Sequence, residues 1–315
     1  RKKMLGVRKL HMYDLYVPFV KTPQKTYSFE EAREIVIEAL KPLGEEYGSV
    51  LKAAFTDGWI DVQENRGKRT GAYSWGCYGC HPFVLLNWQG TINDVFTLAH
   101  ELGHAMHTYY SNTVQPLQYA EYKIFVAEVA STVNENLLME YLLAHTKDDT
   151  EKAFLLNHYL EEFRATVFRQ TMFAEFEKIT HKMVEEGETL TSDILCKVYY
   201  DLNKQYFGED MVLDEEIALE WARIPHFYNP FYVYQYATGI SAAIALSKKI
   251  MEQGEAGVKD YMKFLTGGGS KDPIDLLKLA GVDMTTKEPI EKALELFKEL
   301  LDQMEQSFLS IDTNA

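Results

Sequence analysis

The run His100-Glu-Leu-Gly-His104 holds the residues whose types and spacing most directly imply chemistry. Helical positions four apart lie about one turn apart on the same face, so both imidazoles can direct a ring nitrogen at one metal ion. Glu101 is turned roughly 100° from His100. It cannot ligate the ion beside them, but it can reach a water at the ion's open position and take its proton. That is the H-E-x-x-H arrangement of metal-assisted hydrolysis with a carboxylate as general base. The competing reading is a solvated helix face that carries two histidines by chance. Against it, the window is embedded in Val95, Phe96, Leu98, Ala99, Leu102, Ala105 and Met106. A helix apolar on most sides is a buried one, and ionisable groups there need a partner or a task.

A catalytic zinc takes three protein ligands and a water, so a third ligand is expected downstream. The stretch 119–145 reads as helix and offers Glu121, Glu128 and Glu135, each seven residues from the next and thus near one face. Glu128 sits inside Ile-Phe-Val-Ala-Glu-Val-Ala, where an unpaired carboxylate is costly, and is favoured. Glu121 is the reserve; it and Glu135 have polar neighbours and can be solvated.

Residues 219–240 form the second informative stretch, with His226, Tyr228, Tyr232, Tyr234 and Tyr236 inside eleven positions. Asn229 reads as an N-cap and Pro230 as the first turn of a helix. That register puts Tyr232 and Tyr236 on one face and Tyr234 on another. Aromatic runs are commonly core, but phenol and imidazole donors beside a metal site would also stabilise the oxyanion of a tetrahedral intermediate.

The elements that position these residues follow from local signals. Thr91 with Asp94 caps the helix that carries the two histidines, and Ser28 with Glu31 forms a capping box for a helix in the 30s. Strands are expected near 59–62 and 82–88, just upstream of the histidine helix. An exposed strand edge there would take an extended peptide as an added strand; an ordinary hairpin packed on the core is equally compatible. From 117 to about 185 the pattern is nearly all helical. Arg164 and Arg169, set among apolar residues, are expected to pair with buried acids such as Glu175 or Glu177. Thr266-Gly-Gly-Gly-Ser270 reads as a flexible hinge or loop without the continuation of a phosphate-binding loop.

Composition narrows the classes. The 315 residues, 46% hydrophobic, suffice for a large core, and the net charge of −15 argues against a nucleic-acid partner. No apolar run approaches the ~20 residues of a membrane helix, and the basic start carries no signal-peptide core. The chain does not begin with Met, consistent with an upstream part being absent. Cys77, Cys80 and Cys196 make no disulfide framework, which suggests a reducing, cytoplasmic setting. Cys77-Tyr-Gly-Cys80 has metal-knuckle spacing but no second pair to complete a site.

Three segments together resemble the oligoendopeptidase F branch of the thimet oligopeptidase family. They are Phe96-Thr-Leu-Ala-His-Glu-Leu-Gly-His-Ala-Met-His107, Phe125-Val-Ala-Glu128-Val-Ala-Ser, and His226 with Pro-Phe-Tyr-Val-Tyr-Gln-Tyr236-Ala-Thr-Gly239. The resemblance runs from end to end, including the triglycine segment. It implies His100, His104 and Glu128 as zinc ligands, Glu101 as base, and His226 with nearby tyrosines as substrate and transition-state contacts. Tyr232 and Tyr236 are favoured, with Tyr228 and Tyr234 as rivals, because relatives differ in the spacing after that histidine. Members are usually about twice this long, and the helical N-terminal half that walls their channel is absent here. The stretch Ser74-Trp-Gly-Cys-Tyr-Gly-Cys80 departs from the family pattern.

The expectation is therefore a mainly α, multi-helix zincin-like catalytic domain spanning 1–315, with a small β-sheet next to the H-E-x-x-H helix. Its expected activity is zinc-dependent endopeptidase cleavage of short oligopeptides, with one Zn(2+) per chain and its bound water activated by Glu101. The alternatives are a zinc carboxypeptidase, or an inactive peptide-binding fragment that needs its other half. Expected partners are short peptides, with no nucleic acid and no membrane, and either a missing N-terminal segment or an oligomer partner.

Overall fold

The computed structural model describes residues 1–313. Its longer helices and the strands near them are, in chain order, α1 (Phe29–Ala39), α2 (Gly44–Thr56), β1 (Ile60–Asp61), β2 (Tyr73–Trp75), β3 (Phe83–Leu85), α3 (Ile92–Val114), α4 (Val129–His145) and α5 (Asp149–Glu162). A π-helical segment (Phe163–Phe168) follows, then α6 (Arg169–Glu185), α7 (Ser192–Phe207), α8 (Tyr234–Gln253), α9 (Glu255–Leu265), α10 (Pro273–Leu279) and α11 (Glu288–Thr313). The fold is mainly α with a small three-stranded sheet, as the sequence pattern predicts, and a second, two-stranded parallel pair joins Leu10–His11 to Met211–Val212. Two compact units are present: Pro23–Tyr159 with Thr238–Ala315, and Arg1–Thr22 with Leu160–Ala237. Among the described residues, no helix is long and apolar enough to cross a membrane.

The first of these units is built around α3. Both expected capping boxes form: Thr91 with Asp94 on α3, and Ser28 with Glu31 on α1. Val95, Leu98, Ala99, Leu102, Ala105 and Met106 of α3 are fully buried. Burial of each large aliphatic side chain stabilises the unit by roughly 1.5–3 kcal/mol. Buried amides tie neighbouring helices to α3 and α4. The Asn134 Nδ2 donates to the Ala99 carbonyl at 3.0 Å, and the Tyr47 hydroxyl donates to Asn134 Oδ1 at 3.0 Å. Tyr159 does the same for Asn136 Oδ1 at 2.8 Å. The sheet has the order β1-β3-β2, with β3 parallel to β1 and antiparallel to β2. It lies beside α3: just past β2, a Cβ on Gly76 would collide with the Thr108 methyl.

Two expectations are corrected in this unit. The stretch 119–145 is not one helix: it breaks after Ala120 and resumes at Val129, leaving Glu128 as the N-cap of α4. Glu121 consequently lies in a different element from Glu128 and Glu135. The triglycine segment is also no free hinge. The Gly269 N–H donates to the Tyr119 carbonyl at 2.7 Å, and a Cβ there would lie 2.5 Å from the Glu121 carbonyl oxygen. Glycine is required at 269 because two backbones touch, and Gly268 turns the chain with a φ of 51°.

The second unit has its own apolar cluster: Met172, Phe173 and Phe176 of α6, Tyr199 and Leu202 of α7, and Ile224 and Val233 of the segment that follows. Arg164 and Arg169 are paired, as expected of cations among apolar residues, but with other acids. Arg164 meets Glu161 at 2.8 Å, and Arg169 meets the buried Glu220 at 2.8 Å. Glu220 also accepts from the Tyr199 hydroxyl at 2.5 Å, so its carboxylate is fully engaged. Glu175 and Glu177, the expected partners, accept from the Tyr206 hydroxyl at 2.9 Å and the Phe231 N–H at 3.0 Å instead.

Candidate metal centre

α3 presents His100 and His104 one turn apart, with their Nε2 atoms 3.1 Å from each other. α4 brings Glu128 to them from its N-cap, with Oε2 3.3 Å from His100 Nε2 and 3.2 Å from His104 Nε2. Among the described residues, these three make the one His/Cys/Asp/Glu group whose ligand atoms all lie within 4.8 Å of one another. Zinc bonds of ~2.0–2.1 Å in tetrahedral geometry place ligand atoms about 3.3–3.4 Å apart. The three observed separations are close to the edges of such a tetrahedron, and two imidazoles with one carboxylate form a zinc-type donor set. The residues present therefore fit a metal ion. Glu121, the reserve ligand, is not part of the group.

The approach of α4 to α3 depends on a residue the sequence reading did not single out. A Cβ on Gly103 would lie 2.5 Å from Ser131 Cα and 2.7 Å from the Ala130 carbonyl oxygen. Only glycine lets the first turn of α4, and hence Glu128, come this close to His104. The signal was the glycine itself, placed in the middle of an otherwise strongly helical run. Glu135 also acquires a role beyond candidate ligand. Its Oε2 lies 3.2 Å from His100 Nδ1, a contact of the kind that orients an imidazole when it binds a metal through its other nitrogen. Its position two turns beyond Glu128 on the same face was the signal.

Electrostatics follow from burial and these contacts. Burial opposes charge on His100, but its bonds to Glu128 and Glu135 outweigh that and hold the imidazole well above its ordinary pKa. Burial likewise opposes charge on Glu128, and the two histidines more than offset it, leaving the carboxyl well below the usual carboxylate range. Glu101 is buried, and its Oε2 has no hydrogen-bond partner among the described residues. Burial raises its pKa, partly countered by His100 and His104. A buried carboxylate with free lone pairs and a raised pKa is suited to take a proton.

His107, three residues past His104, stacks on Tyr122 with ring centroids 3.7 Å apart and is 1% exposed. Burial pushes its pKa down to about 3, with His104 adding to the effect. Below pH ~6.5 the unfolded chain binds a proton at this position that the fold refuses, so stability falls as pH drops from about 6.5 towards 3. The slope contributed is at most about 1.4 kcal/mol per pH unit. Chemical denaturation of His107→Gln between pH 6 and 4 is expected to show a flatter decline than the parent by up to one proton; an unchanged slope contradicts the assignment.

In the other unit, His226, Tyr232 and Tyr236 come together. The Tyr236 hydroxyl lies 3.4 Å from His226 Nε2 and donates to the Tyr232 hydroxyl at 3.4 Å. The rival tyrosines, Tyr228 and Tyr234, are both exposed, at 85% and 41%. The local register differs from the expectation, because α8 begins at Tyr234 rather than at Pro230. Residues 230–231 form a turn, with Phe231 at a φ of 58°. Cys77 and Cys80 are free and exposed, on the turn between β2 and β3.

Two histidines one turn apart, an intervening glutamate and a second carboxylate from another helix make a donor set of the kind that zinc peptidases use. The sequence model of Peptidase family M3 matches residues 1–296, and the chain belongs to that family. It is 55% identical over 311 residues to the Bacillus subtilis oligopeptidase PepF, covering 99% of this chain and 46% of that protein. A crystal structure of a Chlamydophila abortus protein superimposes with a TM-score of 0.91 at 44% identity, covering 97% of this chain and 51% of the other. The oligoendopeptidase-F from Enterococcus faecium superimposes with a TM-score of 0.76 at 40% identity, covering 98% and 48%. The chain thus spans about half the length of the curated relatives it matches.

Proposed function

We propose that this chain is the catalytic part of a zinc-dependent metalloendopeptidase that hydrolyses internal bonds of short oligopeptides. In this reading His100, His104 and Glu128 hold one Zn(2+), and Glu101 is the general base. The observation that carries it is the convergence of two Nε2 atoms and one carboxylate oxygen at 3.1–3.3 Å beside the buried Glu101, whose Oε2 has no partner among the described residues. When bound, the ion supplies a positive charge that acidifies a water and polarises the scissile carbonyl. Glu101 takes the proton of the attacking water and passes it to the leaving amine. Glu135 keeps His100 oriented through its Nδ1. His226, Tyr232 and Tyr236 are assigned to hydrogen-bond the substrate and the developing oxyanion, a role supported by their shared cluster and by the family's sequence pattern.

The half-length coverage favours a second reading, in which this chain binds zinc and peptide but turns over only with the rest of the protein. Metal analysis with cleavage assays separates the readings. The endopeptidase reading expects one zinc per chain, lost on Glu128→Ala, and cleavage that survives amidation of the peptide's C-terminus. Cleavage abolished by amidation makes it a carboxypeptidase. Stoichiometric zinc and peptide affinity without turnover supports the second reading.

A further inference from the structure

Phe231 is the one non-glycine residue with positive φ among the described residues, at 58°. Such a conformation costs energy for a residue with a Cβ, persists only where the surroundings impose it, and clusters at functional sites. Here it lies between His226, on a short 3-10 turn (Pro225–Tyr228), and Tyr236, in the first turn of α8. Besides the packing of the Phe231 ring on His181 at 4.6 Å and of Tyr232 and Tyr236 on the apolar cluster, the chain between them is held at two points. Val233 is fully buried in the apolar cluster, which fixes one point by packing. The other is the Phe231 N–H, which donates to Glu177 Oε1 at 3.0 Å.

Glu177 is an unusual residue to find there. It is 3% exposed on α6, next to Phe176 of the apolar cluster, and its Oε2 has no partner among the described residues. Burial raises its pKa, with the Phe231 N–H and His181 opposing. An acid kept in an apolar setting for one backbone hydrogen bond is costly. The bond it makes holds the strained residue.

We infer that Glu177 is a positioning residue: by clamping the Phe231 N–H it holds the left-handed turn that sets His226, Tyr232 and Tyr236 in one cluster. This rests on the reading that those three side chains serve the reaction, but the clamp is tested without turnover. Without the bond, Phe231 relaxes to an ordinary φ, the path between His226 and Tyr236 changes, and the 3.4 Å contacts from Tyr236 to His226 and Tyr232 are lost.

The test compares Glu177→Ala, Glu177→Gln and Glu177→Ala/Phe231→Gly with the parent chain. It reads amide hydrogen exchange at position 231 and NMR ring contacts between His226 and Tyr236. In Glu177→Ala, exchange at Phe231 is expected to rise at least tenfold and the ring contact to disappear. Glu177→Gln still offers an acceptor oxygen and keeps both. Glycine adopts the positive φ without help, so the double variant regains the ring contact although the clamp is gone. Ring contacts unchanged in Glu177→Ala, or lost equally in Glu177→Gln, overturn the inference. Should Glu177→Ala not fold, a folded double variant with intact ring contacts supports the clamp. A double variant that also fails to fold overturns it, because Glu177 then serves the fold at large. If the contacts are lost while kcat on a short peptide is unchanged, the clamp stands and the assignment of His226 and the tyrosines to the reaction falls.

Discussion

Glu101→Gln is expected to retain one zinc per chain and to lose peptide turnover by about 10²–10⁴-fold, the contribution typical of a positioned general base. The amide has nearly the shape of the carboxyl group, so the apolar packing of α3 around it is preserved. Glu101 is not among the three converging ligand atoms, so metal content is untouched. What the amide cannot do is accept a proton from water. The carboxylate it replaces is buried, has a free Oε2 and has a raised pKa, all of which favour proton uptake at neutral pH. Zinc content and kcat measured on the same preparation check this. A variant with normal turnover contradicts the role of Glu101, and one that loses its zinc shows that the residue acts on the site's structure.

Gly103→Ala carries the second large effect, and its sign discriminates. In an isolated helix the change is stabilising by about 1 kcal/mol, because alanine is the better helix former. Here the new methyl meets backbone: Ser131 Cα at 2.5 Å, the Ala130 carbonyl oxygen at 2.7 Å and Ser131 N at 2.8 Å. Backbone cannot rotate aside as a side chain can, so α3 and the first turn of α4 must separate. Overpacking of this kind destabilises by about 1–3 kcal/mol. Glu128 caps that first turn, so the separation draws its carboxylate from His100 and His104. The expected result is a lower Tm and zinc affinity reduced at least tenfold, read by chelator competition. A variant of equal or greater stability with unchanged zinc affinity contradicts the close-approach account.

The histidine pair was legible in the sequence because its spacing is local. The spacing of His100 and His104 fixes their geometry once the segment is helical, and Thr91 with Asp94 and the apolar run around them make it so. Glu128 was favoured on burial cost and does converge with the two histidines, although its side chain is half exposed and the helix expected to carry it is broken just before it. That break does not follow from hydrophobic period, because residues 121–128 remain apolar enough to read as helix. What ends the helix is tertiary: Tyr119 and Glu121 present carbonyls to the triglycine segment, a contact nearly 150 residues away in the chain. The same limit explains the turn at Phe231. Asn229 and Pro230 signal a helix start locally, whereas the hydrogen bond that delays it comes from Glu177, 54 residues earlier. The pairing of Arg169 with Glu220 rather than Glu177 is another long-range choice, 51 residues apart.

Cleavage of an internally quenched peptide blocked at both ends, by the chain loaded with zinc, stripped by chelator and then reloaded, tests the central claim most directly. The account predicts a cut at an internal bond by the loaded chain, its loss on stripping and its return on reloading. Cleavage that is indifferent to the metal, or no cleavage by a chain carrying one zinc, contradicts it.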